Sequence, residues 1–292
     1  MFGQLLFAAL VTGSLYALVA LGLNLVYGTL RLLNIAHGDL VMIGAYIAFW
    51  LMSIFGLPPV VSIPVAAGIC AGLGWLVYVG IFRKLLATPE LAQRLEANSL
   101  ILFYGVSVIL QNAAALAFSS TSRGYQYMND VHHFGGVLAT GNRLILLGVA
   151  TAISLGVLLF LRLHLFGWSL RAVIERRDAA AVVGVDVDRV QAVTICAGFA
   201  IAGMAGVLVS MTEEITPFMG FPFTIVSFVV IILGGLGNIP AGVLAGLALG
   251  FVETFGIALT SATYRSIVIY GLFVGVLLLR PQGLFSKAIK TR

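Results

Sequence analysis

The chain has 292 residues, of which 61% are hydrophobic and only 9% charged, and its mean hydropathy is +1.10. A soluble domain carries about 25% charged residues, so the composition excludes a soluble enzyme or binding module and predicts a polytopic membrane protein with little mass outside the bilayer. The net charge of +5 does not point to nucleic acid, because the basic residues stand in short loops between apolar runs, as topology signals do.

The first 28 residues have no basic leader and run on for more than about 20 apolar positions, so they read as a retained span rather than a cleaved signal. Further apolar runs predict spans near 4–28, 33–55, 60–81, 99–118, 143–162, 191–211, 222–236, 240–259 and 264–280. The seventh is short and ends in Gly234-Gly235-Leu236-Gly237-Asn238-Ile239-Pro240. It reads as a half-helix or re-entrant element near 222–240. The expected fold is therefore all-α, a transmembrane helix bundle of eight or nine spans.

Orientation follows from the basic residues. With the N-terminus outside, the inner face receives Arg31, Arg83, Lys84, Arg94, Arg162, Arg171, Arg176, Arg177, Arg189, Arg280, Lys287, Lys290 and Arg292. The outer face keeps only Arg123, Arg143 and Arg265, which satisfies the positive-inside rule and leaves the C-terminus in the cytoplasm. Small residues recur at four-residue spacing: Gly68 and Gly72; Gly198, Ala202 and Gly206; Gly242, Gly246 and Gly250; Gly271 and Gly275. Such ridges let helix backbones approach closely, within the chain or between subunits. Cys70 and Cys196 lie in apolar runs and read as packed small residues; no metal or cofactor is expected.

Polar groups inside the spans are few and therefore informative. Asn24, Asn34, His37 and Asp39 flank an inner-side turn at Gly28 to Arg31. Asn34, His37 and Asp39 either border a translocation route or lie at the interface, with Asn34 capping a helix and His37 and Asp39 meeting water. Gln111 and Asn112 suit interhelical hydrogen bonds. Glu253, placed near mid-span by these boundaries, must face a partner or water and is the fourth candidate for the route. The outer loop from Ser119 to Asn142 carries Tyr125, Tyr127 and His133, a composition suited to a protein contact. Its adjacent His132 and His133 are poorly spaced for a shared metal. Glu213 and Glu214 add acidic character to the next outer loop.

The inner loop from Leu163 to Val190 is the most charged stretch. An amphipathic helix is expected from Ser169 to Val183, followed by Gly184, and its charge on the arginine-rich side suits docking of a soluble partner. The chain has no G-x-x-x-x-G-K-[ST] phosphate loop, so it does not hydrolyse ATP through that motif. A transporter without its own motor is a secondary carrier, a channel, or one part of a complex.

Three segments, LGLNLVYGTLRLLNIAHGDLVMIGAY, GWSLRAVIERRDAAAVVGVDVDRV and ILGGLGNIPAGVLAGLALGFVET, together resemble the permease subunit of branched-chain amino acid ABC importers, most closely the H-type half. The resemblance covers nearly the whole chain. It implies a single transmembrane permease domain over 1–292, in the bacterial inner membrane, with a cytoplasmic coupling loop at 163–190. The implied partners are a related M-type permease, two cytoplasmic ATPase subunits and a periplasmic binding protein, besides membrane lipid; the chain itself would be no enzyme. The resemblance also carries over Arg171, Ala172, Glu175, Asp178, Ala179, Ala180 and Gly184 as the ATPase-docking segment. The competing expectation is an ion-coupled secondary transporter of a small polar solute, with Asp39 and Glu253 as coupling acids. Against it, the sequence shows no convincing internal repeat.

Overall fold

The computed structural model describes residues 2–86, 95–134, 136–280 and 283–284. The inner-face residues Arg94, Lys287, Lys290 and Arg292 lie outside these. Eleven helices are considered in chain order: α1 (Phe2–Leu30), α2 (His37–Phe55), α3 (Pro59–Val77), α4 (Leu95–Phe118), α5 (Gly141–Leu163), α6 (Leu165–Glu175), α7 (Arg177–Val182), α8 (Val187–Val209), α9 (Gly220–Gly234), α10 (Ile239–Leu259) and α11 (Arg265–Leu279). A π-helical turn over Tyr78–Phe82 carries α3 on to Leu86. Eight apolar helical segments are long enough to cross a membrane, the last of them, Ala262–Leu279, counting the 3-10 turn that leads into α11; α9, at 15 residues, is shorter.

Among the described residues, extended pairing is confined to a hairpin in the loop between α4 and α5 and an isolated bridge between Arg123 and Ile215. Strand β1 (Val131–Phe134) pairs antiparallel with β2 (Val137–Thr140), with Val131 opposite Thr140. The Gly135-Gly136 pair between two short apolar runs is the sequence signal for it.

Helix α1 is the axis of the bundle. Every residue from Gly13 to Val26 is buried, as expected of a helix apolar on all sides. It packs along α10 and α8, and α8 packs in turn on α2 and α3. Glycines set these approaches. A Cβ on Gly22 would lie 2.6 Å from the Gly198 carbonyl oxygen, and one on Gly246 would lie 2.5 Å from Ala17 Cα. Two of the four predicted small-residue ridges are thus consumed inside the chain. The other two, Gly68 with Gly72 and Gly271 with Gly275, face open space.

Contacts at the helix ends define two faces. Gln4 exchanges hydrogen bonds with the backbone of Leu138, Arg123 pairs with Ile215, and Asn142 Nδ2 donates to Met211 O at 3.0 Å. At the opposite end Gly28 meets Gly237 and Ile174, Tyr78 Oη donates to Asp188 O, and Leu33 N donates to Ser99 Oγ. The second face is the arginine-rich one.

The structure corrects two boundaries. The second span does not begin at 33: residues 31–34 are not helical, yet Leu32 and Asn34 are fully buried, and α2 starts only at His37. The helix expected from Ser169 to Val183 is two helices, because Arg176 is extended (φ −152°, ψ 105°) between α6 and α7. Glu253, in a helix whose bounds agree with the expected span, has the partner its burial demands: it pairs with Arg265 at the start of α11.

Candidate functional site

Two regions carry the predicted residues. The first is the charged, arginine-rich surface. His164 starts α6 by accepting a hydrogen bond from Phe166 N on Nδ1, a side-chain N-cap. Gly167, Leu170 and Val173 are buried against the bundle, where a Cβ on Gly167 would strike the Leu161 carbonyl. That orientation turns Arg171 and Glu175 outward, both exposed. The Arg171 guanidinium lies over the Trp168 ring, 4.9 Å from its centroid. On α7, Asp178 and Ala179 are exposed and Ala180 is buried; Ala172 on α6 is half-buried.

Gly184 ends α7 with φ +87°. Its N–H donates to Ala181 O and that of Val185 donates to Ala180 O, the paired bonds of a Schellman C-cap. Val182 and Val183, 87% and 77% exposed, form an apolar knob beside the charges. Sequence reasoning passed over them, although two valines directly before a cap glycine on a charged loop were a readable signal.

This surface is joined to the bundle. Ile174 of α6 packs on Gly28 of α1 and on Gly237 before α10. Asn24 fixes the same turn: its Nδ2 donates to Asn238 O at 2.9 Å and its Oδ1 accepts from Gly237 N at 3.0 Å. Asn238 in turn caps α10 through Ala241 N. Packed and hydrogen-bonded atoms thus join α6 to α1 and to the start of α10.

The second region is inside the bundle, where α2 and α9 both begin. The backbones of Gly38 and Gly220 touch. His37 Nε2 donates to Val19 O at 2.8 Å, in the middle of α1, so the start of α2 lies deep in the bundle. Thr224 of α9 closes the junction: its hydroxyl accepts from Gly38 N at 2.9 Å and donates to Ile35 O at 3.0 Å. This satisfies one of the orphan donors of α2 from another helix, since the cap position, Ala36, offers no side chain for it. Thr224 was missed in the sequence because a lone threonine in an apolar run reads as packing.

Asn34, His37 and Asp39 all meet here, and all are buried. Asn34 does not cap α2, and neither His37 nor Asp39 meets water as the interfacial alternative required. Asp39 Oδ1 accepts from Gln111 Nε2 at 3.0 Å, the expected interhelical bond, whereas Asn112 bonds only to Val108 O in its own helix. Both side-chain polar atoms of Asn34, Nδ1 of His37 and Oδ2 of Asp39 are buried with no hydrogen-bond partner. Glu253 stands apart from this junction. Its carboxylate pairs with Arg265 Nε at 2.5 Å, and Arg265 Nη2 donates to Tyr16 Oη at 3.0 Å, tying α1, α10 and α11 together. The described residues hold no group of three or more His, Cys, Asp or Glu placed to bind a metal.

A multi-pass bundle with one charged surface packed on its central helices fits one class, a membrane transport permease. The profile of the family described as branched-chain amino acid transport system / permease component matches residues 5–277, and the chain belongs to that family. It is 31% identical over 98% of its length to the high-affinity branched-chain amino acid transport system permease protein LivH of Salmonella typhimurium, covering 96% of that protein. It is likewise 31% identical to BraD of Pseudomonas aeruginosa, covering 97% of this chain and 95% of that one. Identity to the permease LivM of Escherichia coli is 27%, covering 92% of this chain and 67% of LivM. No solved structure matches the chain.

Proposed function

We propose that the chain is one permease half of an ATP-driven importer of branched-chain amino acids in the bacterial inner membrane, with its N-terminus outside and its C-terminus in the cytoplasm. It pairs with a related permease, receives substrate from a periplasmic binding protein and is driven by two cytoplasmic ATPases. The observation that carries this reading is the linkage of the exposed α6–α7 surface, through Ile174, to Gly28 and Gly237. An external motor that moves α6 thereby moves α1 and α10. The relatives named LivH and LivM, both similar to this chain, support a heterodimer of permeases.

The junction of α2 and α9 suits the inner part of the route, with Asn34, His37 and Asp39 bordering it. Leaving a buried polar atom unpaired costs about 1–3 kcal/mol. Several such atoms at one junction favour a second state in which the junction parts and they are hydrated, as alternating access requires. Glu253 acts at the outer end, through Arg265.

Reconstitution tests the function. Liposomes holding this chain, the related permease and both ATPases should concentrate leucine only when ATP is inside and the binding protein is outside. Concentrative uptake by this chain alone under a proton or sodium gradient would return the reading to a secondary transporter.

The docking surface has its own test. Glu175→Lys and Asp178→Lys reverse two exposed charges without touching the buried face of α6. ATPase association should weaken by at least about tenfold while the permease stays in the membrane. Complexes that purify with unchanged stoichiometry and ATP turnover would remove the docking role from these residues.

A further inference from the structure

Helices α3 and α4 both lean on α2 and leave a cleft between them, toward the face opposite the arginine-rich one. The cleft holds about 610 Å³, and its lining is apolar and aromatic. One wall runs from Ile43 to Ile54 on α2; Val65 and Ile69 of α3 and Phe118 of α4 supply the others. From Ile43 to Ile54 the helix rises about 16 Å, at about 1.5 Å per residue. One turn below Ile43, Gln111 Nε2 of α4 donates to Asp39 Oδ1 of α2 at 3.0 Å and joins two of the walls. The cleft therefore has the depth of one leaflet, half of a hydrocarbon core about 30 Å thick. It is too short to receive a spanning helix along its whole length.

A fixed cation stands at its mouth. Arg123 N donates to Ile215 O at 2.9 Å and Ile215 N donates to Arg123 O at 2.8 Å, which pins the backbone. The half-buried side chain is pinned as well. Its Nε and Nη2 donate to Phe118 O at 3.2 and 2.9 Å, and its Cζ lies 5.3 Å from the Trp50 ring centroid and 5.6 Å from that of Phe49. A guanidinium has five N–H donors, so these two bonds leave three. Among the described residues no carboxylate pairs with Arg123. In the α2 wall, Trp50 Nε1 and the Tyr46 hydroxyl are buried donors without an acceptor.

Lipid tails are as apolar as these walls, so the cleft alone does not choose among lipids. Arg123 does. A planar guanidinium held above an apolar slot of one-leaflet depth matches a phosphate at the head of an acyl chain. We infer that the cleft seats an acyl chain of an anionic phospholipid, with the lipid phosphate on Arg123. The inference requires that the chain span a membrane and is independent of the importer reading. Seated there, the lipid fills the gap between α3 and α4 and backs the seam that keeps Gln111 on Asp39.

The test uses the full-length chain, with the subunits that co-purify with it, in mild detergent. A phosphatidylglycerol carrying a diazirine on its acyl chain is photolysed, and the crosslinked peptides are mapped by mass spectrometry. Crosslinks are expected on the stretches Ile43–Ile54 and Val65–Ile69. Unlabelled phosphatidylglycerol should compete about fivefold better than phosphatidylcholine, whose own cation offsets its phosphate. Inorganic phosphate at the same concentration should not compete. Arg123→Gln should abolish the preference for phosphatidylglycerol, and Arg143→Gln, which changes an outer cation off the cleft, should keep it. The comparison of the two lipids on the parent decides the matter even where a variant fails to assemble. Equal competition by both lipids, or an undiminished preference in Arg123→Gln, would overturn the site. Loss of the preference in Arg143→Gln as well would reduce it to general surface charge. Competition by inorganic phosphate would make it an anion site without a lipid, and absence of crosslinks from both stretches would show that a protein partner covers the cleft; either result refutes the inference.

Discussion

Gly38→Ala should be among the most damaging single substitutions in this protein. A Cβ there would be driven into the Gly220 carbonyl and to 2.5 Å from Thr224 Oγ1. Both obstacles belong to the start of α9, and one of them is backbone, which cannot swing aside as a flexible side chain does. Overpacking a well-packed interior costs typically about 1–3 kcal/mol. Here α2 must also keep its Gly38 N–H on Thr224, so the upper end of that range applies. A melting point lowered by roughly 10 °C in detergent is expected, read by size-exclusion after heating. Gly68→Ala and Gly72→Ala, which meet nothing within 4 Å, should leave the melting point unchanged. A Gly38→Ala protein as stable as its parent would show that the α2–α9 contact is loose, and with it the closed junction.

Arg265→Gln should destabilise the outer end of the bundle. It leaves the carboxylate of Glu253, 4% exposed, without its cation. Breaking a fully buried pair costs roughly 3–5 kcal/mol, because the remaining charge stays desolvated. Arg265 itself is half exposed, and water can partly replace it, so about 2 kcal/mol is expected. The double variant Glu253→Gln/Arg265→Gln removes the stranded charge as well and should recover most of that loss. Melting points of the two singles and the double give the coupling energy. Strict additivity would show that the pair does no structural work, and would leave Glu253 free for the route.

The polar residues of the first two spans show where sequence reading succeeds and where it stops. Their scarcity in an apolar chain marks Asn24, Asn34, His37 and Asp39 as meaningful, since burying them is costly. What each one does depends on groups about 200 positions away: Asn24 on Gly237 and Asn238, the start of α2 on Thr224. Spacing along one helix says nothing of such partners, because helix–helix register is fixed by three-dimensional packing. Glu253 shows the same limit from another side. Its carboxylate demanded a partner, but the partner, Arg265, comes from the following helix across a turn whose closure no periodicity reveals.

The sequence by itself determined the membrane class, the nine apolar segments, the arginine-rich face and the charged loop at 163–190. Each follows from hydropathy, length and charge, which are local sums over neighbouring residues. Only the tertiary structure decided that α2 begins deep in the bundle against α9, that α6 packs on α1 and the start of α10 through Ile174, and that Glu253 meets Arg265. These are relations between residues far apart in the chain. They are set by close glycine contacts and by the need of every buried polar group for a partner, conditions that exist only once the helices have packed.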